Sequence, residues 1–290
     1  MCFFATKSSM KIRMKRKLAV VLLICISCHI GWAAQDFVWK SGQNMKVVCD
    51  TTEAPVVKVA LDLLKRDCRS VLSGEISRSE NTGNIYVGTW GESSVLQALA
   101  ETHQLDVAQL NEHKEAFLLN VLPDGRLVVA GSDKRGTAYG VLELSRMMGV
   151  SPWEWWADAV PEKKEEFRLP AGFRKLDYPQ VAYRGIFIND EDWGLTPWSW
   201  KHYEPSERKG QIGPKTHARI FELLLRLRAN TFWPAMHECS IPFFFTEGNK
   251  EMADKYAIYL GTSHCEPMMR NTNGEWKTAG KGEYDYVHNR

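Results

Sequence analysis

Between Tyr183 and Cys265 the sequence repeats one order, in which a short apolar strand leaves into a polar cluster and a helix leads to the next strand. Val181 to Ile188 runs into Asn189-Asp190-Glu191-Asp192-Trp193-Gly194. Ala229 to Trp233 runs into Pro234-Ala235-Met236-His237-Glu238, and Ala257 to Thr262 into Ser263-His264-Cys265-Glu266-Pro267. The helix expected from Pro214 to Arg228 carries Ile220, Leu223, Leu224 and Leu227 on one stripe, with Arg219, Glu222 and Arg226 facing away. A second helix is expected from Asn249 to Tyr256. Strands alternating with helices predict a parallel sheet, and a series of such units predicts the opening of a (β/α)8 TIM barrel. Eight strands close that barrel. Residues 174–290 therefore read as its first three units, truncated and with an open sheet edge.

Residues 35–173 read as a separate mixed α/β accessory domain. Lys46 to Cys49 and Asn84 to Gly88 are strands flanking a helix from Ala54 to Leu72, in which Val57, Leu61, Leu64 and Cys68 recur at helical spacing. A helix from Ser94 to Ala100 follows. Ala116 to Leu122 and Arg126 to Ala130 form a hairpin across Pro123-Asp124-Gly125. The last helix, Lys134 to Met148, ends at Gly149. Gly131-Ser132-Asp133-Lys134-Arg135-Gly136-Thr137 sits where a phosphate loop would, but lacks the lysine after the second glycine. It reads as a glycine turn with Asp133 at a helix start. Trp153, Trp155 and Trp156 are expected to pack between the two domains, and the charged run Pro161 to Glu166 to be a solvated linker.

Residues 1–34 read as a secretory signal: basic residues from Lys11 to Lys17, the apolar run Leu18 to Ile26, and small residues ending at Ala33-Ala34. The apolar run is too short for a membrane span. The chain is expected to be exported, periplasmic or extracellular, with cleavage near Ala34. A lipid anchor at Cys28 is the lesser alternative. A net charge of +2 and no basic run with interleaved aromatics after Lys17 argue against a nucleic-acid partner. Without the leader four cysteines remain, Cys49, Cys68, Cys239 and Cys265, and most are expected to be buried free thiols.

Tyr183 to Gly194, Ile212-Gly213-Pro214-Lys215-Thr216, Arg228 to His237 and Ser263 to Met268 together resemble glycoside hydrolase family 115. The resemblance spans about Val128 to Trp276. It implies an α-glucuronidase that removes glucuronic acid or its 4-O-methyl ether from xylan side chains with inversion. It also implies that the catalytic acid and its partner sit on later strands, and that a homodimer would form through C-terminal domains outside this sequence. The expected partner is glucuronoxylan or another glucuronic-acid-bearing glycan, and no cofactor is expected.

An inverting glycosidase uses one carboxylic acid and one carboxylate, about 6.5 to 9.5 Å apart. Asp190, Glu191, Asp192 and Glu266 are the carboxylates at the three exits. Alternation along the strand sends Asp190 and Asp192 to one side and Glu191 to the other. Asp190 and Asp192 are then the candidates for positioning water. Asn189, Asp190, Asp192, Trp193, Trp233, His237, His264 and Glu266 are the expected substrate contacts, the tryptophans by stacking and the histidines by hydrogen bonding. Arg184, early in its strand, is expected to form an ion pair below the sheet. His237-x-Cys239 and His264-Cys265 lack zinc-site spacing, so no metal is expected. A hexosaminidase-like barrel enzyme and a noncatalytic carbohydrate-binding protein remain the alternatives.

Overall fold

The structure is a computed structural model and describes residues 33–102, 104–189, 192–263, 272–285 and 287–288. The expected leader, apart from its last two residues, and Asp190, Glu191, His264, Cys265 and Glu266 lie outside the described residues. Gln35–Arg290 forms one compact α/β unit.

Its larger sheet has six strands. These are β2 (Asn44–Cys49), β3 (Glu75–Ser79), β4 (Ile85–Thr89), β5 (Phe117–Val121), β6 (Leu127–Gly131) and β8 (Arg174–Asp177), in the order β3-β2-β4-β6-β5-β8. The first four in that order run parallel, and β5 is antiparallel to both its neighbours. A separate antiparallel pair joins β1 (Phe37–Lys40) to β7 (Glu166–Leu169). Alternation along the strands sorts the core. Val47, Cys49, Val87, Phe117 and Val129 pack with helices α1 (Pro55–Leu72) and α3 (Lys134–Met148), while Val48, Tyr86, Leu118, Val128 and Ala130 pack with α2 (Ser94–Glu101). Cys49 and Cys68 are buried free thiols, as expected, and burial pushes both up to about 12. They stay protonated and are inert as nucleophiles.

The glycines of the turn lie against neighbouring chain. A Cβ at Gly131 would lie 2.0 Å from the Thr137 amide nitrogen, and one at Gly136 would lie 2.1 Å from the Ala116 carbonyl oxygen. Close chain approach is what those glycines permit. Asp133 caps α3 by accepting from the Arg135 and Gly136 amides, and Gly149 ends the helix at φ 103°.

The second sheet is parallel, in the order β11-β10-β9, with β9 at Gly185–Phe187, β10 at Thr231–Trp233 and β11 at Tyr259–Leu260. Helices α4 (Pro214–Arg226) and α5 (Asn249–Lys255) connect successive strands. All three strands are shorter than the apolar runs suggest. Val181 and Tyr183 lie exposed ahead of β9, and Ala257, at φ 54°, delays β11. Phe232 is wholly buried under α4, its ring 5.4 Å from Phe221. Its register mates Ile186 and Leu260 share that face. Phe187 and Trp233 therefore project from the opposite face, where both are exposed among the described residues.

Three ionic layers tie this sheet to the residues before it. Arg226 donates to both oxygens of Asp67 at 2.8 and 3.0 Å, and Glu222 accepts from Arg226, Arg219 and Arg66. Glu222 and Arg226 thus do not face solvent; α1 offers them buried partners. Glu143 lies between Arg146, Lys175 and Arg228. Burial raises its pKa, yet the three cations outweigh that and hold it at about 2. Below the strands, Glu115 pairs with Arg135 and Arg184, which fulfils the expectation for Arg184.

Trp155 and Trp156 pack as expected, with Trp198, Tyr203 and each other, whereas Trp153 is 48% exposed. Arg219 lies 4.8 Å over the Trp155 ring. The long loop before α4 is in large part a scaffold, because the Glu204 carboxylate accepts from the Lys215 and Thr216 amides and caps the helix.

Candidate active site

The carboxyl ends of β9, β10 and β11 open on one end of the sheet, because parallel strands share a direction. The Ile188 amide donates to the Trp233 carbonyl at 2.9 Å and the Gly261 amide to the Phe232 carbonyl at 2.9 Å, so the three exits stay in register past the strands. Trp233 is the hinge of this arrangement. Its ring meets Phe187 edge-on at 6.0 Å on one side, and on the other it lies across Gly261, where a Cβ would be 2.2 Å from Nε1.

Asn189, Asp192 and Trp193 follow β9 and are all exposed. Trp193 is 90% exposed and has no ring contact among the described residues, so its face is free for a ligand. Asp192 sits at φ 70°, outside extended backbone. Strand alternation therefore stops after Phe187 and cannot assign the carboxylates of residues 190–192 to opposite sides. His237 and Glu238 are exposed beyond β10, where the Ser240 amide donates to the His237 carbonyl at 2.9 Å and turns the chain. The structure thus brings Asn189, Asp192, Trp193, Trp233 and His237 to the strand exits.

Beside the β10 exit lies a hollow of about 380 Å³. Lys209, His237, Glu238, Ser240, Lys277 and Thr278 border it. The sequence singled out only His237 from this group. Lys209 stands mid-loop and Lys277 far beyond the third exit, so only the fold joins them. Among the described residues no three His, Cys, Asp or Glu side chains are placed to share a metal ion.

His217 lies directly under β10, fully buried among Phe221, Phe232 and Phe243. Its Nδ1 is 3.0 Å from the Gly213 carbonyl and 3.1 Å from Asn249 Oδ1, so it is the donor to both. Asn249 in turn donates to the Ile212 and Phe243 carbonyls. Burial pushes the imidazole down to about 4, against the pull of those two acceptors, and it stays neutral. This hub fixes the loops on either side of β10.

Residues 176–290 match the model of glycosyl hydrolase family 115. The family 115 resemblance read from the strand exits is borne out. A solved structure of a family GH115 4-O-methyl-alpha-glucuronidase, BtGH115A, with specificity for decorated arabinogalactans, is 62% identical over 87% of this chain, with a TM-score of 0.84. The chain spans about a third of that structure's own length, 33%. A structure of CpGH84D is 12% identical over 79% of this chain and 35% of its own, with a TM-score of 0.50, a likeness of fold alone. No curated protein matches the chain. Among the described residues no helix is long and apolar enough to cross a membrane.

Proposed function

We propose that this chain is part of an exported glycoside hydrolase that removes glucuronic acid, or its 4-O-methyl ether, from the side chains of a polysaccharide. The observation that carries the reading is the 62% identity to a 4-O-methyl-alpha-glucuronidase over 87% of the chain, together with the family-model match over residues 176–290, which include all three strands of the parallel sheet. The strand exits supply matching chemistry. Trp193 and Trp233 offer stacking faces for the sugar, and Asn189 and His237 offer hydrogen bonds to its hydroxyls or carboxylate. His264 and Glu266, which follow β11 in the sequence, are further candidate contacts. Asp190 and Asp192 position the attacking water or a substrate hydroxyl. Hydrolysis proceeds with inversion, which requires a carboxyl pair about 6.5 to 9.5 Å apart. No residue of this chain is assigned as the catalytic acid. The three parallel units belong to a (β/α)8 barrel, a fold that gathers catalytic groups at its strand exits.

Glucuronoxylan and decorated arabinogalactan are the substrates to compare, the second because the related enzyme has specificity for decorated arabinogalactans. The test is release of glucuronic acid by the full-length protein, with the first-formed anomer followed by NMR. Inverted β-anomer is expected, and at least one of Asp190→Ala and Asp192→Ala should lower turnover about 10²-fold or more. Retained configuration would overturn the mechanism, and no release from either glycan would overturn the activity.

A further inference from the structure

The hollow beside the β10 exit has the size and charge of a ligand site. Its volume, about 380 Å³, falls within the range of about 300 to 1,000 Å³ usual for small-molecule pockets. Ile241 and Pro242 give it an apolar wall, and Ser240 and Thr278 add hydroxyls.

Two ammonium groups reach it from different segments, Lys209 from a loop and Lys277 from the start of a short helix, Lys277–Ala279, and they are differently committed. Lys209 has no ion pair among the described residues. Lys277 pairs with Glu238 at 3.1 Å, but their side chains are 70% and 68% exposed. Such a pair contributes little in water and re-forms readily around another anion. With one carboxylate against two ammonium groups the hollow keeps a net positive charge, and the His237 ring adds a further hydrogen-bonding group. A neutral sugar would leave that charge unused, whereas a carboxylate would meet it with charge-assisted hydrogen bonds.

We propose that this hollow binds the carboxylate of a uronic acid, with Lys209 and Lys277 as its cationic contacts. The inference rests on the glucuronidase reading and adds to it a site apart from the aromatic exits. The carboxylate belongs either to the sugar that is released or to a neighbouring uronate on the same glycan, and two binding measurements separate these. Calorimetry on the full-length protein uses D-glucuronic acid and D-glucose as one arm and glucuronoxylan as the other. Lys209→Met and Lys277→Met should each weaken an acidic ligand about tenfold while leaving glucose unchanged, the scale of losing one charged contact. Lys250→Ala, which removes an exposed pair with Asp254 on α5, is the control and should change nothing.

Weakened D-glucuronic acid binding places the released sugar in the hollow. A loss confined to glucuronoxylan places a neighbouring uronate there. Unchanged affinity in both arms for both lysine variants overturns the proposal, and so does a loss that extends equally to glucose. Turnover is scored separately: a protein that binds glucuronate through these lysines but releases none would refute the hydrolase reading and leave the site standing.

Discussion

The Glu115 carboxylate accepts from the Asn230 amide at 2.9 Å across 115 residues of sequence, joining the six-stranded sheet's side of the molecule to the foot of β10. Asn230 Oδ1 accepts from the Arg184 amide at 3.0 Å, and its Nδ2 also donates to the Ala182 carbonyl at 2.8 Å. Glu115 further pairs with Arg135 and Arg184, so one carboxylate fixes both β9 and β10 where they begin. The alignment of the strand exits depends on this foot, because a slip there would displace every side chain beyond it.

Removing the Glu115 carboxylate should therefore be severe. Glu115→Ala leaves Arg135 and Arg184 without their common anion, and breaking a buried pair from one side costs roughly 3 to 5 kcal/mol. Glu115→Gln, which retains hydrogen bonding, should cost less. Urea unfolding checks both, and a loss below about 1 kcal/mol for Glu115→Ala would show that the residue is not the foot of the sheet.

A second layer permits a different test. Arg226 and Asp67 are 4% and 2% exposed, and they join α4 to α1. Asp67→Ala should destabilise strongly because it leaves the Arg226 charge buried, whereas Asp67→Leu combined with Arg226→Met should recover much of the loss, since apolar replacement of both ions avoids their desolvation. A double-mutant cycle measures the coupling. Additive losses would mean that the two residues act independently.

His217 makes stability depend on pH in a defined window. Its folded pKa is depressed from 6.5 to about 4 by burial. Above the unfolded value both states are neutral and the contribution is complete. As pH falls below it the unfolded chain takes up a proton that the folded chain refuses, so stability declines until the folded pKa is passed. The shift corresponds to roughly 3 kcal/mol. Urea midpoints of wild type and His217→Asn, measured from pH 7.5 to 4, should converge as pH falls. Parallel curves would refute the assignment.

Much of this fold was legible where local chemistry decides it. The helix from Lys134 to Met148 has the bounds its glycine cap and periodicity imply, and α1, α2 and α5 differ from expectation by a residue at an end. Strands β1 and β7 were not legible: Phe37 pairs with Leu169 across most of the larger sheet, and β7 begins within a charged run. Glu222 and Arg226 read as a solvent face, since nothing in the helix reveals that Asp67 and Arg66 await them. At the site, strand exits were recognisable by their polar clusters. Lys209 and Lys277 were not, because segments far apart in sequence bring them together, and alternation does not carry through to Asp192, which follows the end of β9 at φ 70°.

Gly261 gives a functional prediction that separates geometry from stability. A Cβ there would lie 2.2 Å from Trp233 Nε1 and 2.5 Å from its Cδ1, far inside van der Waals contact. Gly261 has no positive φ, so alanine is compatible with its backbone. The part that must yield is the indole, half held by its edge-on contact with Phe187 and 39% exposed. Gly261→Ala should therefore swing Trp233 away from β11 at a modest cost, roughly 1 to 3 kcal/mol for overpacking. Near-ultraviolet circular dichroism should change, and the Michaelis constant for the glycan should rise if Trp233 stacks on the sugar. Trp233→Phe, which shortens the ring, should restore the fold of Gly261→Ala without restoring affinity. A Gly261→Ala protein with an altered aromatic signal but unchanged kinetics would remove Trp233 from the substrate contacts and leave it as packing between β9 and β11.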